Sequence, residues 1–79
     1  MIMIRYDLEL DTSGLNCPLP ILKTKKALAI MESGQLLYVI ATDPASVLDF
    51  AAFSAKTGNE LLESREERGR FYFVLRKGG

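Results

Sequence analysis

Residues 2 to 10, "IMIRYDLEL", alternate. Ile2, Ile4, Tyr6, Leu8 and Leu10 fall on one side, and Met3, Arg5, Asp7 and Glu9 on the other. A period of two predicts a strand with one buried face. Asp11-Thr12-Ser13-Gly14 then has the composition of a turn. Past Cys17 the period changes. Pro20, Ile21, Thr24, Ala27, Leu28 and Met31 recur at three- and four-residue steps, which predicts a helix with a narrow core-facing stripe. That helix should open at Pro18, since the first helical position has no use for an N–H. Pro20 is still tolerated in the first turn. Gly34 is the expected left-handed terminator.

"QLLYVIAT", 35 to 42, is continuously apolar and rich in strand formers. It reads as an interior strand with little exposed face. Asp43 can cap a second helix, with Pro44 at its first position, Val47, Phe50, Ala51 and Ser54 on one side, and Gly58 at its end. Residues 59 to 67 form a short strand centred on Leu61 and Leu62, Arg68-Gly69 a tight turn, and "RFYFVLRK" a last strand with Phe71, Phe73 and Leu75 on one face. The order is βαβαββ. The fold class is α+β, a two-layer α/β sandwich with both helices on one face of a four-stranded mixed sheet, strand order 1-2-4-3 expected. At 79 residues the whole chain, 1 to 79, is expected to be one domain.

Composition narrows the chemistry. Apolar residues are 48% of the chain, enough to fill a small core, which argues against disorder. Ten basic and ten acidic side chains cancel, which argues against direct nucleic-acid binding. No apolar run approaches the roughly 18 residues of a membrane span. The alternating, acid-bearing N-terminus is not a signal peptide. One cysteine cannot form an internal disulfide, and a secreted domain this small would usually need several, so the cytoplasm is expected. There is no histidine, which excludes Cys-His catalysis and makes a metal site improbable.

The single thiol lies in "GLNCPLPILK", 14 to 23. With Cys17 at the helix N-cap, its sulfur would lie where free amides and the helix dipole favour an anion. The thiol pKa should then fall below its free value of about 8.5. An N-cap side chain normally accepts from the second or third helical N–H. The third is Pro20, which has none, so the Leu19 N–H is the expected partner of the sulfur. Pro18 and Pro20 stiffen the turn. The competing reading is a buried, inert cysteine, the ordinary state of a lone thiol.

"LDTSGLNCPLPILKTKKAL" resembles the signature of the TusA/SirA family of small sulfur-carrier proteins, whose hallmark Cys-Pro-X-Pro is here Cys17-Pro18-Leu19-Pro20. The likeness continues through "ATDPAS" (41 to 46), "TGNELL" (57 to 62) and "RKGG" (76 to 79). It implies the same βαβαββ sandwich. It implies that Cys17 accepts sulfane sulfur as a persulfide from a cysteine desulfurase or rhodanese-type donor. Cys17 would then pass the sulfur to a downstream sulfur-relay protein, for tRNA 2-thiolation or a related sulfur-trafficking pathway. No cofactor is implied beyond that covalent sulfur. Without a second cysteine the chain cannot resolve its own persulfide, so a partner's thiolate must attack the outer sulfur. Ser54 stands where some members carry a second cysteine. Leu48 stands where a basic residue is frequent, and Asn59 where a histidine is frequent.

Lys25 and Lys26 match the basic pair that members carry after the motif, which implies a docking surface for an acidic partner. As residues they read equally as a solvated helix face. Asp43 is an N-cap candidate, and it could also reach the Cys17 turn if both helices begin at one edge of the sheet. Two other functions are open. Gly78-Gly79 resembles the tail of ubiquitin-like thiocarboxylate carriers, whose fold has one main helix rather than two. "RGRFYFVLRK" combines basic and aromatic residues and could serve a non-catalytic RNA- or protein-binding regulatory module.

Overall fold

The computed structural model describes residues 5–78. Its elements are β1 (Leu8–Thr12), α1 (Leu19–Ala29), β2 (Leu36–Ala41), α2 (Ser46–Thr57), β3 (Glu60–Glu67) and β4 (Arg70–Arg76). The strands form one sheet in the order β1-β2-β4-β3. β1 and β2 are parallel, and β4 runs antiparallel to both β2 and β3. The expected α+β architecture and strand order are the observed ones.

The core lies between the sheet and the two helices. Leu37, Val39 and Ala41 of β2 and Phe71, Phe73 and Leu75 of β4 are buried on one face. Thr24, Ala27 and Leu28 of α1, Met31 just beyond it, and Phe50 and Phe53 of α2 are buried as well; all of these but Thr24 belong to one apolar cluster. Phe50 and Phe73 stack with centroids 4.3 Å apart, clamping α2 to the centre of the sheet. Ser54 Oγ donates to the Asn59 carbonyl at 2.7 Å and accepts from the Leu61 N–H at 3.0 Å, which pins the last turn of α2 to the start of β3.

Several boundaries differ from those expected. The first strand does not run from Ile2 to Leu10. Ile2, Met3 and Ile4 lie outside the described residues, and β1 continues through Asp11 and Thr12. Tertiary pairing overrides the turn composition there. Thr12 is fully buried, pairs with Ala41 and donates its hydroxyl to the Ile40 carbonyl at 2.6 Å. Tyr6 is not on the core face with Leu8 and Leu10. A bend at Asp7 turns it to the open face, where it stacks on Tyr38 at 4.9 Å and donates to Glu9 at 2.8 Å.

β2 is central, as expected, yet it alternates, with Tyr38 and Ile40 half-exposed on the open face. α1 ends at Ala29, so Gly34 is not its terminator; its positive φ of 90° serves the later turn in which its N–H bonds the Lys77 carbonyl. The buried stripe of α2 is rotated from the expected one. Ser46 and Phe53 join Phe50, whereas Val47 and Ala51 are exposed. Gly58 does end α2, with φ 74°, and Arg68 and Gly69 both have positive φ in the turn between β3 and β4.

Candidate functional site

Topology brings two loops together. β1 and β2 are parallel neighbours, so their C-terminal ends lie side by side at Thr12 and Ala41. Each strand leads into a helix from that end, where crevices form in open sheets with parallel strands. The loop after β1 carries Cys17 and the loop after β2 carries Asp43. The Asp43 carboxylate joins them, Oδ2 accepting from the Cys17 N–H at 2.7 Å and Oδ1 from the Ala45 N–H at 3.0 Å. These two backbone bonds hold the Asp43 carboxyl below the usual carboxylate range. Thr42 adds a second tie, its hydroxyl accepting from the Gly14 N–H at 2.8 Å. Of the two roles considered for Asp43, the reach to the Cys17 turn is realised and the N-cap is not. Asp43 closes the turn that leads into α2, though the helix itself begins at Ser46 with Ala45 at the N-cap.

Cys17 is exposed. It does not cap α1. The helix opens one residue later than expected, with Pro18 at the N-cap, Leu19 first and Pro20 second. The Leu19 N–H is not bonded to the sulfur. It donates to the Asn16 carbonyl at 2.8 Å, closing a turn around the Cys17–Pro18 pair, whose peptide bond is cis. Pro18 and Leu19 are exposed beside the thiol, while Pro20 is buried against the core side of α1.

The thiol pKa is raised above its ordinary value, not lowered. The first cause is hydrogen bonding with the Asp49 side chain, followed by desolvation and the negative charges of Asp49 and Asp43. The dipole of α1, whose first turn carries no acid, favours the anion. The opposing charge comes from α2, across the cleft. Among the described residues no hydrogen bond to the sulfur meets full geometry, the bond at Cys17 being that of its amide to Asp43.

A cleft of about 370 Å³ runs from the thiol between the helices. It is lined by Cys17, Pro18, Ile21 and Lys25 from the α1 side and by Asp49, Ala52, Phe53, Lys56 and Thr57 from α2. Its floor is apolar and its rim carries two lysines. Lys25 is one of them. Lys26 is not: it shares a neighbouring groove with Leu19, Leu22, Lys23 and Lys25, and lies towards Leu10 and Ile30 beyond it. Lys25 thus borders both grooves, and the hundred-degree turn per residue of a helix keeps Lys26 out of the Cys17 cleft. Asp49 and Lys56 were missed by the sequence reading. Both sit on α2, and only a correct helix phase and the parallel β1–β2 pairing would have brought them to the thiol.

The two other function readings meet specific obstacles. Tyr6, Tyr38 and Tyr72 stack on one another across the open face, at 4.9 and 6.0 Å, and the Arg65 guanidinium covers Tyr72 at 4.3 Å. The rings spend their faces on each other, leaving little for a base to stack on. Gly78 is tied down, its N–H donating to Asn59 Oδ1 at 2.9 Å. A Cβ there would meet the Gly58 carbonyl oxygen at 2.3 Å. Among the described residues no cluster of metal-ligating side chains occurs, and no helix is long and apolar enough to cross a membrane.

The chain is similar to known proteins in sequence and in fold. Residues 8–77 match the family described as Sulfurtransferase TusA. The chain is 64% identical to the sulfur carrier protein TusA of Allochromatium vinosum over 75 residues, covering 95% of this chain and 99% of that one. It is 40% identical to the sulfur carrier protein TusA of Pseudomonas entomophila, covering 91% and 90%. The fold matches the crystal structure of a SirA-like protein from Desulfitobacterium hafniense with a TM-score of 0.79, at 24% identity over 92% of this chain and all of that one.

Proposed function

The chain belongs to the sulfurtransferase TusA family and is a sulfur carrier, and from that premise we propose that Cys17 Sγ is the atom that takes and gives the sulfur. The observation that carries this reading is the exposure of the chain's single thiol at the mouth of a cleft, on a backbone fixed by Asp43. In loading, Cys17 sulfur attacks the outer sulfur of a donor persulfide. A new S–S bond forms, the donor's S–S bond breaks, and the donor's cysteine leaves with the proton. Cys17 then bears –S–SH, with no net oxidation. In delivery a partner thiolate attacks that outer sulfur and Cys17 departs as the thiol, by the chemistry of disulfide exchange.

The donor is a cysteine desulfurase or a rhodanese-type protein, and the recipient a relay protein with its own cysteine, within the reducing cytoplasm. The apolar floor at Ile21, Ala52 and Phe53 supplies a dry contact beside the reacting sulfur. Lys25 and Lys56 supply the positive rim that steers an acidic partner. Lys26 lies outside that rim.

The test is intact mass spectrometry after incubation with a desulfurase and free cysteine. The expected result is a gain of one sulfur, removed by reductant and absent from Cys17→Ser, which keeps the wild-type circular dichroism. Loading of Cys17→Ser, or sulfur recovered as a thiocarboxylate at the C-terminus, would overturn the assignment.

A further inference from the structure

The two outer strands of the sheet are built differently. β3, at one edge, carries Glu63, Arg65, Glu66 and Glu67 and a register shift between Leu61 and Glu63. Charge and irregularity of that kind discourage a further strand from pairing. β1, at the other edge, has neither lysine nor proline, and its residues pair with β2 in unbroken register. On its outer side β1 pairs with no strand among the described residues.

Beside that edge α1 leaves a groove of about 290 Å³, lined by Leu10, Lys23, Lys26, Ala27 and Ile30. Ile30 is 81% exposed, and Leu8, two residues from Leu10 on the same face of β1, is exposed as well. Lys23 and Lys26 form no ion pair among the described residues. α1 contains no acidic residue, and no carboxylate lines the groove. Glu9 and Asp11 lie on the opposite face of β1, where Glu9 accepts from the Tyr6 hydroxyl. The groove is thus apolar and positive, and it opens along an unpaired strand edge.

We propose that the β1 edge and the α1 groove together take up an extended acidic segment of a partner protein as a fifth strand of the sheet. Main-chain hydrogen bonds to β1 supply the attachment, and the alternate side chains that drop towards α1 supply the selection. Those side chains are apolar against Ala27 and Ile30, and carboxylates against Lys23 and Lys26. The side chains between them share a face with Glu9 and Asp11, so they are neutral or basic. A second copy of the chain fits this edge poorly. Two copies joined edge to edge about a two-fold axis would set their α1 helices side by side, with Lys23 and Lys26 of each facing those of the other, and like charges oppose that pairing. The groove shares no lining residue with the Cys17 cleft, so a partner held here leaves the thiol open.

The test is an NMR titration of the full chain with a short capped peptide in which threonine alternates with valine and glutamate by turns. The expected result is shifts at the β1 amides and at Lys23, Lys26 and Ile30, slower hydrogen exchange in β1, and binding that weakens as salt is added. Lys23→Glu combined with Lys26→Glu should weaken binding by about tenfold, as two exposed attractive pairs become repulsive. That variant should instead take up the same peptide with lysine in place of glutamate. Methylating the peptide's backbone nitrogens should abolish binding. Absence of shifts at millimolar peptide overturns the proposal. So does equal binding of the lysine peptide or of the N-methylated peptide by the wild-type chain, which would reduce the groove to an apolar contact. Shifts at these residues produced by phosphatidylglycerol vesicles and not by the peptide would assign the lysines to a lipid surface, and dimerisation through β1 would assign the edge to a second copy; either result also overturns it.

Discussion

Ser54 gives the sharpest measure of what holds the site-bearing helix in place. Its hydroxyl donates to the Asn59 carbonyl and accepts from the Leu61 N–H, and it is half-buried. Ser54→Ala removes both bonds and leaves two backbone groups to find water at a partly covered position. Each intramolecular hydrogen bond contributes about 0.5–1.5 kcal/mol net. Two of them give about 1–3 kcal/mol, with water access to the strand end favouring the middle of that range. In a domain of this size 1 kcal/mol lowers Tm by about 4–8 °C, so a loss of ~2 kcal/mol is a fall of about 8–16 °C. Urea unfolding followed by circular dichroism should show the same loss as a lower midpoint with an unchanged slope. Ser54 does not line the Cys17 cleft, so sulfur loading per folded molecule should be unaffected. Ser54→Cys, with a weaker donor and acceptor, should fall between the two. A Ser54→Ala change below about 0.5 kcal/mol would mean that water already serves these groups, and that the hydroxyl does not join α2 to β3.

Other predictions follow from the same contacts. Asp43→Ala should free the Cys17 amide, read as faster hydrogen exchange at that amide and slower sulfur loading, while the α1 amides keep their protection. Asp43 also has a pH signature. Its folded pKa is depressed by the Cys17 and Ala45 amides, so its contribution is present above the unfolded carboxylate value near 4 and is lost as pH falls through the folded value. Asp43→Asn should flatten the acid limb of stability, and an unaltered limb would disprove the coupling. Lys25→Gln and Lys56→Gln should slow loading and reduce its salt dependence, whereas Lys26→Gln should have little effect. Phe50→Ala should cost about 3–5 kcal/mol, because a fully buried ring stacked on Phe73 is replaced by a cavity. Against a total stability of about 4–12 kcal/mol for such a chain, Phe50→Ala should be substantially unfolded on warming.

Much of the molecule was legible in the chain itself. The βαβαββ order, the inward row of Phe71, Phe73 and Leu75, the stripe of α1 and the ends at Gly58 and Arg68-Gly69 follow from local period and local backbone preference. So does the choice of Cys17 as the atom to examine, since it is the only thiol and its Cys-Pro-Leu-Pro setting is local. Local rules reached their limit where pairing supplied more energy than turn propensity, as at Thr12, and where a small error of helix phase moved Phe53 inward and Val47 outward.

The electrostatics of the thiol belonged to the tertiary structure alone. Read along the chain, Cys17 has a helix beginning beside it and no acid in the first turn, so its anion should be favoured. In the fold, the parallel pairing of β1 with β2 sets the next helix beside it, and Asp43 and Asp49 arrive from 26 and 32 positions away. Charge acts through space, over distances that sequence separation does not record. The chain therefore determined which atom could carry sulfur, and only the packing of α2 beside the Cys17 turn determined which charges line the cleft around it.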